Sequence, residues 1–288
     1  MQLVLTVLIY IPLSLAVSQF GGQNLQIIAF GAAVTLAVWL AGIAFDKRPM
    51  RDFGLRMDSR WWRDCLIGFL LATLVMSLIV LVQWVMGWIE FTGFGWNRAS
   101  QRNFVAVLGG YVLTMAAVGF YEELWSRGYQ LRNLTEGFYN GTNRNLAGLI
   151  AIVISSLAFG FLHIGNPNIT LLGIIVIILA GAMLALPFVV TGQLGLSVGL
   201  HFAWNVIQGA FYGLPVSGIR FRQSVLQFEV TGPEMWTGGR FGPEGGILGV
   251  TGVLLLMLLT LALLRYRGHR ITISEELVRP PSSPTTYD

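Results

Sequence analysis

The sequence is dominated by apolar runs of about 20 residues, the length that a helix needs to cross a hydrocarbon core of about 30 Å. Only 11% of the residues are charged, whereas soluble domains carry about 25% charged residues. A chain with so few charges could not cover its surface in water. Because backbone groups in lipid must be bonded within the chain, these runs predict helices. We therefore predict an all-α, polytopic transmembrane bundle in the cell membrane.

Eight apolar runs can be separated, which predicts about eight transmembrane helices. They lie at 3–20, 25–45, 64–88, 104–130, 146–164, 169–190, 195–213 and 246–264. No Lys or Arg precedes the first run, so it lacks the basic segment of a signal peptide and is interpreted as a membrane helix. Lys and Arg are enriched in cytoplasmic loops, and the segment 46–63 holds six of them. With eight spans, both termini are predicted to be cytoplasmic.

The chain divides into three predicted segments. Residues 1–103 hold the N-terminal transmembrane helices, and residues 104–213 form a core that carries the buried polar residues. Residues 214–288 comprise an outer connection, the last transmembrane helix and a cytoplasmic tail from Ile271 that is predicted to be disordered. The connection 214–245 is rich in Gly and could partly re-enter the membrane.

Composition also bounds the partners and cofactors of the chain. The net charge is +4, and no basic run is interleaved with aromatic residues, so nothing favours nucleic-acid binding. The single cysteine, Cys65, excludes a disulfide within the chain and a cysteine-based metal cluster. Membrane lipids are the expected surroundings.

Charged residues directly follow the apolar stretch 111–120. An ionisable residue in a membrane helix costs several kcal/mol and is usually kept for function. Glu123 and Arg127 are four residues apart, share a helix face and can neutralise each other. Glu122 points about 100° away around the helix and has no cationic partner in its own segment. The alternative interpretation is a solvated helix end with an ordinary ion pair.

Two further predicted helices carry histidines. Phe159 and His163 share a face near the end of the fifth run, and His201 and Asn205 share a face early in the seventh. His163 could simply be a hydrogen-bonded interfacial residue, and His201 with Asn205 could form an interhelical clamp worth about 1 kcal/mol. Together with Glu122, these groups supply a carboxylate, two imidazoles and an amide, which suits hydrolysis.

The three segments form one ordered pattern: Glu122-Glu123-x-x-x-Arg127, then Phe159-x-x-x-His163, then His201-x-x-x-Asn205. This pattern resembles that of the type II CAAX prenyl endopeptidases and bacteriocin-processing enzymes (CPBP), also called the abortive-infection family of intramembrane proteases. The resemblance covers 104–213. It implies an intramembrane endopeptidase whose substrate is a peptide or a membrane protein, which could be lipidated.

The resemblance also implies a role for each motif residue. Glu122 would be the general base that activates water, and His163 would orient that water. His201 and Asn205 would hold the oxyanion of the tetrahedral intermediate. The remaining motif residues would have supporting roles: Glu123, Arg127 and Phe159.

Two alternatives and one geometric question stay open from the sequence. Glu122, His163 and His201 could bind zinc in a metalloprotease of the same family, although no His-Glu-x-x-His segment is present. The chain could instead be a non-catalytic scaffold, an immunity protein or a transporter, but no inverted repeat supports a transporter. With uniform spans, His163 falls near the outer end of its helix, whereas Glu122 and His201 lie nearer the inner side.

Overall fold

A computed structural model describes residues 2–19, 22–97 and 103–280. The α-helices are α1 (Gln2–Ser18), α2 (Gln23–Ala41), α3 (Ser59–Val85), α4 (Phe104–Glu123), α5 (Arg132–Phe138), α6 (Arg144–Leu162), α7 (Leu171–Thr191), α8 (Gly195–Asn205), α9 (Glu234–Thr237) and α10 (Ile247–Tyr266). The strands are β1 (Ile89–Phe94) and β2 (Leu226–Val230). Short 3₁₀ turns occur at Met50–Phe53, Gly95–Asn97, Pro243–Gly245 and Glu275–Val278.

The prediction of a polytopic transmembrane bundle is confirmed. Among the described residues, six helical stretches are long and apolar enough to cross a membrane, and α1 is a shorter apolar helix. The remaining predicted span is α8 with its π-helical extension. Leu66, Leu70 and Leu74 follow one face of α3 and are 58%, 56% and 53% exposed. Such an apolar face would be unfavourable in water but matches lipid.

Three helices continue without a break into π-helical turns. One π segment, Gly42–Asp46, extends α2, and another, Leu124–Leu131, joins α4 to α5. A third, Val206–Phe211, extends α8. The last two begin directly after Glu123 and Asn205. Because π turns rotate the side chains that follow them and are frequent at functional sites, both mark the same region of the bundle.

Close contact between α3 and α8 depends on glycine. A Cβ at Gly199 would lie 1.9 Å from the carbonyl oxygen of Cys65, and one at Gly195 would lie 2.4 Å from that of Trp61. The spacing Gly-x-x-x-Gly thus lets the two backbones touch, as small residues do at membrane helix interfaces. Helix α3 of the first predicted segment packs on α8 of the second, so both contribute to one bundle. The segment boundaries themselves stay predictions.

The long connection 214–245 is structured rather than a plain loop. Strand β2 pairs antiparallel with β1, with Phe91 opposite Phe228. Further along, Phe241 is buried and packs with Phe159 and Ile177. The connection therefore reaches the interior of the bundle. Its location on the outer side of the membrane stays a prediction.

The prediction of a disordered tail is wrong for residues 271–280. Ile273 and Leu277 are buried, and the Ser274 N–H donates to the Val189 carbonyl at 2.6 Å. The guanidinium of Arg48 donates to the carbonyl of Arg279 at 2.7 Å. Composition predicted disorder because the segment is polar, but two apolar side chains and several arginines fasten it. Residues 281–288 lie outside the described residues.

Candidate active site

The end of α4 carries two adjacent glutamates in different surroundings. Glu123 is fully buried, and its Oε1 accepts a hydrogen bond from Arg127 Nη1 at 3.0 Å. The side chain of Glu122 is 19% exposed, and the Tyr121 hydroxyl donates to its Oε1 at 3.4 Å. The tethered pair beside one free carboxylate, expected from the spacing, is therefore present.

Arg127 connects three helices around this pair. It is fully buried, and its Nη2 donates to the carbonyl of Gly181 in α7 at 3.0 Å. Its guanidinium carbon lies 4.3 Å from the ring centre of Phe159 in α6, in cation–π geometry. The interactions of Arg127 thereby set the position of α4 relative to α6 and α7.

His201 bridges the two glutamates from α8. Its Nδ1 lies 2.8 Å from Glu123 Oε1, and its Nε2 lies 3.9 Å from Glu122 Oε2. Because Glu123 is an ionised acceptor paired with Arg127, the proton of this hydrogen bond belongs to His201 Nδ1. The second ring nitrogen, Nε2, is therefore the one that faces Glu122.

His163 follows the last residue of α6, and its ring is also held by a hydrogen bond at Nδ1. Its Nδ1 lies 2.7 Å from the carbonyl oxygen of Phe159. A carbonyl only accepts, so Nδ1 carries the proton and Nε2 is left free. The ring of Phe159 lies between the two imidazoles, 4.8 Å from His163 and 6.1 Å from His201 between ring centres.

All four residues to which the resemblance gives a direct role line one cavity of about 770 Å³: Glu122, His163, His201 and Asn205. Uniform spans had predicted that His163 lies at a different membrane depth from Glu122 and His201. All three side chains nevertheless line the same cavity. Helix α6 ends at Leu162, so His163 begins the following turn and its ring folds back towards Phe159. The structure thus brings three distant sequence segments to one cavity. It does not by itself assign their roles.

A buried carboxyl group that the sequence analysis did not single out lines the same cavity. Glu244 accepts hydrogen bonds from Gln208 Nε2 at 2.6 Å and from Trp204 Nε1 at 3.2 Å. Burial raises the pKa of Glu244 above its usual range, because desolvation disfavours the charged form. Glu244 lies in the Gly-rich stretch before α10. Its hydrogen-bond donors, Trp204 and Gln208, are far from it in the sequence, so its burial could not be predicted from that stretch alone.

The cavity carries donor atoms of the kinds that bind zinc. The free Nε2 atoms and the Glu122 carboxylate are chemically suitable zinc ligands, and a carboxylate behind a histidine, as with Glu123, is a common second layer. Within residues 2–19, 22–97 and 103–280, however, no three His, Cys, Asp or Glu side chains are grouped closely enough to hold an ion. The residues as placed do not fit a zinc centre.

The fold and the cavity define a class: a polytopic helical membrane protein with a buried carboxylate–imidazole cluster. Residues 103–207 match the family model described as type II CAAX prenyl endopeptidase Rce1-like. The resemblance predicted from the motifs is thereby confirmed for this segment, which makes up about a third of the chain. The segment includes every motif residue named above.

One curated relative and the solved structures complete the comparison. The chain is 26% identical over 172 residues, or 59% of its length, to the uncharacterized protein YyaK of Bacillus subtilis (strain 168). The match covers 54% of that relative, so the chain spans about half the length of the curated protein it matches. No solved structure matches the chain.

Proposed function

We propose that the protein is an intramembrane endopeptidase that hydrolyses a peptide bond with a water molecule activated by Glu122. The observation that carries this proposal is the arrangement around the cavity. A partly exposed carboxylate and two imidazoles, each held through its Nδ1, line one cavity. Scarcity of water would strengthen each of these polar interactions.

The proposed reaction uses each group in turn. Glu122 takes a proton from water, which His163 Nε2 orients, and the water oxygen bonds to the carbonyl carbon. The carbonyl oxygen becomes an oxyanion, which the Asn205 carboxamide stabilises together with the Nε2–H of His201 in its imidazolium form. As the carbon–nitrogen bond breaks, the proton held by Glu122 passes to the leaving amine.

Glu123 and Arg127 are positioning residues in this scheme. Glu123 fixes the tautomer and orientation of His201 through the 2.8 Å hydrogen bond. Arg127 neutralises Glu123 and is stacked on Phe159, next to His163. Neither side chain lines the cavity, so neither would touch the reacting bond.

The test is Glu122→Gln in the full-length protein, because glutamine keeps the shape but cannot accept the proton. Cells with the wild type and with the variant would be compared by mass spectrometry of membrane-derived peptides. We expect wild-type-dependent peptides to fall by about 10²-fold or more. Glu229→Gln is the matched control, since Glu229 is exposed on β2. Unchanged cleavage by normally expressed Glu122→Gln would end the proposal.

The same preparation tests the remaining alternatives. Stoichiometric zinc with chelator-sensitive cleavage would favour the metalloprotease version with Glu122, His163 and His201 as ligands. A cellular function that survives the combined loss of Glu122 and His163 would favour a scaffold or immunity protein. We further propose that the substrate is a peptide or a membrane protein, with or without a lipid. Both termini are proposed to lie in the cytoplasm.

A further inference from the structure

One carboxyl group of the cavity has no part in the proposed reaction. Glu244 lies in the 3₁₀ turn Pro243–Gly245, outside the segment 103–207 that matches the family model. It is 5% exposed, lines the cavity and forms no ion pair with any residue that the structure describes. Burying a carboxyl group without a counter-charge is costly, so its presence in the cavity wall requires an explanation.

Glycines fix this 3₁₀ turn against its neighbours. Gly242 has a φ of +101°, and a Cβ there would lie 2.1 Å from the carbonyl oxygen of Pro215 and 3.1 Å from Gln208 Nε2. A Cβ at Gly249, in the first turn of α10, would lie 2.2 Å from the carbonyl oxygen of Pro243. Because only glycine permits such close approaches, the turn packs directly on the π extension of α8 and on α10.

The polar groups that the described residues place against the Glu244 carboxyl are all hydrogen-bond donors. Gln208 Nε2 donates to Oε2 at 2.6 Å, and Trp204 Nε1 donates to Oε1 at 3.2 Å. The backbone N–H groups of Ser217 and of Glu244 itself also interact with the carboxyl. The Gln208 amide donates to the Pro215 carbonyl as well, so its nitrogen rather than its oxygen faces Glu244. A proton on Glu244 therefore has no acceptor in the wall and is directed into the cavity.

Few charged groups surround Glu244. Helix α7 and the π extension of α8 contain no titratable residue, and those of α10, Arg265 and Tyr266, lie at its far end. His201 of α8 is bound to Glu123. The charged residues of the connection and of α9 are exposed: Arg220, Arg222, Glu229, Glu234 and Arg240. Desolvation is accordingly the largest influence on Glu244 and raises its pKa to about 7, although the donors favour the ionised form.

A peptide that enters the cavity would remove the remaining water from Glu244. Loss of water favours the neutral carboxyl, and the main-chain carbonyls of the peptide need donors in such a space. Trp204 and Gln208 follow His201 by three and seven positions, which correspond to about 5 and 10 Å along the helix. An extended peptide advances about 3.3 Å per residue. The Glu244 carboxyl thus lies about two to three residues along a peptide whose cleaved bond is held at His201 and Asn205.

We infer that Glu244, in its protonated form, donates a hydrogen bond to a main-chain carbonyl of the peptide substrate, about two to three residues from the cleaved bond. The inference rests on the proposed function and adds a substrate-binding residue to it. Glu122 and Glu244 then act differently in one cavity: Glu122 accepts a proton from water, whereas Glu244 keeps its proton and donates a hydrogen bond. An ionised Glu244 would face the carbonyl with a second acceptor, so peptide binding should weaken when Glu244 loses its proton.

Peptide binding tests this hydrogen bond without depending on cleavage. Full-length Glu122→Gln in phosphatidylcholine nanodiscs would be titrated with a rhodamine-labelled, acetylated and amidated peptide of leucine and alanine, at about pH 6 and about pH 8. Because only protonated Glu244 binds in this scheme, the dissociation constant should rise by about tenfold between these two pH values. When Glu244→Gln is added, the amide N–H replaces the hydroxyl, so binding should no longer depend on pH.

Two further variants on the same background separate the hydrogen bond from packing. Glu244→Met keeps the approximate size of the side chain but has no donor, so it should bind the peptide about tenfold more weakly at the lower pH and lose the pH dependence. Glu234→Gln is the matched control, because Glu234 is exposed on α9 and lines a different depression. It should retain the full change with pH. Unfolding temperatures would establish that each variant is folded.

Infrared difference spectroscopy follows the Glu244 proton directly in the same nanodiscs. The carbonyl stretch of a neutral carboxyl group that Glu244→Gln removes identifies Glu244. This band should lose intensity as the pH rises from about 6 to about 8. It should also move to lower frequency when the peptide binds, because the hydroxyl then donates to an acceptor.

Several outcomes would overturn the inference. The change with pH could persist in Glu244→Gln, or Glu244→Met could bind as tightly as its Glu122→Gln parent. The peptide could leave the infrared band of Glu244 unchanged, or it could bind measurably to none of the proteins. Wild-type-like cleavage by Glu122→Gln would refute only the proposed function, whereas peptide binding without a contribution from Glu244 would refute only this inference.

Discussion

Charged groups near the connection 46–63 and charged groups in the cavity differ in how they are paired. Beside the connection 46–63, Arg48 and Arg132 both bind Glu136, at 2.7 and 3.0 Å. Their remaining N–H groups reach backbone carbonyls, including that of Glu276 in the C-terminal segment. In the cavity, Glu122 Oε2 has no hydrogen-bond partner among the described residues. Charges that are paired with one another fasten the chain, whereas the Glu122 side chain lines the cavity, is 19% exposed and accepts a hydrogen bond from the uncharged Tyr121 hydroxyl.

The same contrast recurs between two neighbouring residues. Glu123 is fully buried and accepts from both Arg127 and His201. Glu122, one position earlier, faces the cavity. One helix thus presents a structural carboxylate and an accessible one about 100° apart. Sequence spacing alone distinguishes their directions, but only packing makes one structural and the other accessible.

The largest expected effect comes from breaking the structural pair in the interior. Glu123→Gln leaves the buried guanidinium of Arg127 without a counter-charge, which typically costs about 3–5 kcal/mol. It also leaves His201 Nδ1 facing a neutral amide, whose oxygen is a weaker acceptor than a carboxylate, so cleavage should fall with stability. Thermal unfolding in detergent would measure the stability loss, and the cleavage assay the activity.

Glu275→Gln is the control for this change. Glu275 pairs with Arg144 on the surface, where the side chains are 60% and 36% exposed. Exposed pairs contribute about 0–1 kcal/mol, so this variant should resemble the wild type. Equal stability of Glu123→Gln and the wild type would contradict a structural role for the buried pair.

A smaller effect is expected at the arginine-rich end. Arg132→Met removes hydrogen bonds to Glu136 and to the Asp52 and Glu276 carbonyls, which should cost about 2–3 kcal/mol. The C-terminal segment should then become sensitive to proteinase K, while kcat on a cleavable peptide should stay unchanged. Arg56→Met is the matched control, because Arg56 binds the same segment at an exposed site. A large fall in kcat would show that the two ends are coupled.

The smallest effect concerns the pH dependence of stability. The pKa of Glu244 is raised by burial, so the folded state binds this proton more tightly than the unfolded chain. This contribution is complete below the ordinary carboxyl value of 4.5 and is lost as the pH rises towards the folded pKa. The slope can reach at most about 1.4 kcal/mol per pH unit.

Glu244→Gln should remove this slope, and the exposed Glu234→Gln should retain it. The unfolding temperatures of the wild type and the two variants would be measured in detergent between about pH 5 and 8. A buried carboxyl group with a raised pKa titrates in this range. A stability of the wild type that rises over this range, with Glu244→Gln parallel to it, would refute the raised pKa of Glu244.

The sequence by itself determined that the chain lies in lipid, where its main helices run and which segments carry the candidate catalytic residues. Low charge and runs of membrane-spanning length require lipid, and the structure places helices at 23–46, 59–85 and 247–266 close to the predicted spans. The motifs around Glu122, His163 and His201 were readable because ionisable residues are costly in such runs. The last site helix, α8, begins at the predicted residue Gly195, and its π extension ends at Phe211, two residues before the predicted end.

The tertiary structure decided what those segments meet. Residues 79 positions apart, Glu122 and His201, come within 3.9 Å because glycines let α8 pack against α3 and because Arg127 holds α6 and α7 beside α4. The burial of Glu244 and the fastening of residues 271–280 likewise depend on partners far along the chain. The local composition of a segment predicts how long its helix is and whether that helix is surrounded by lipid or by water. Which side chains face one another depends on contacts between helices that no single segment contains.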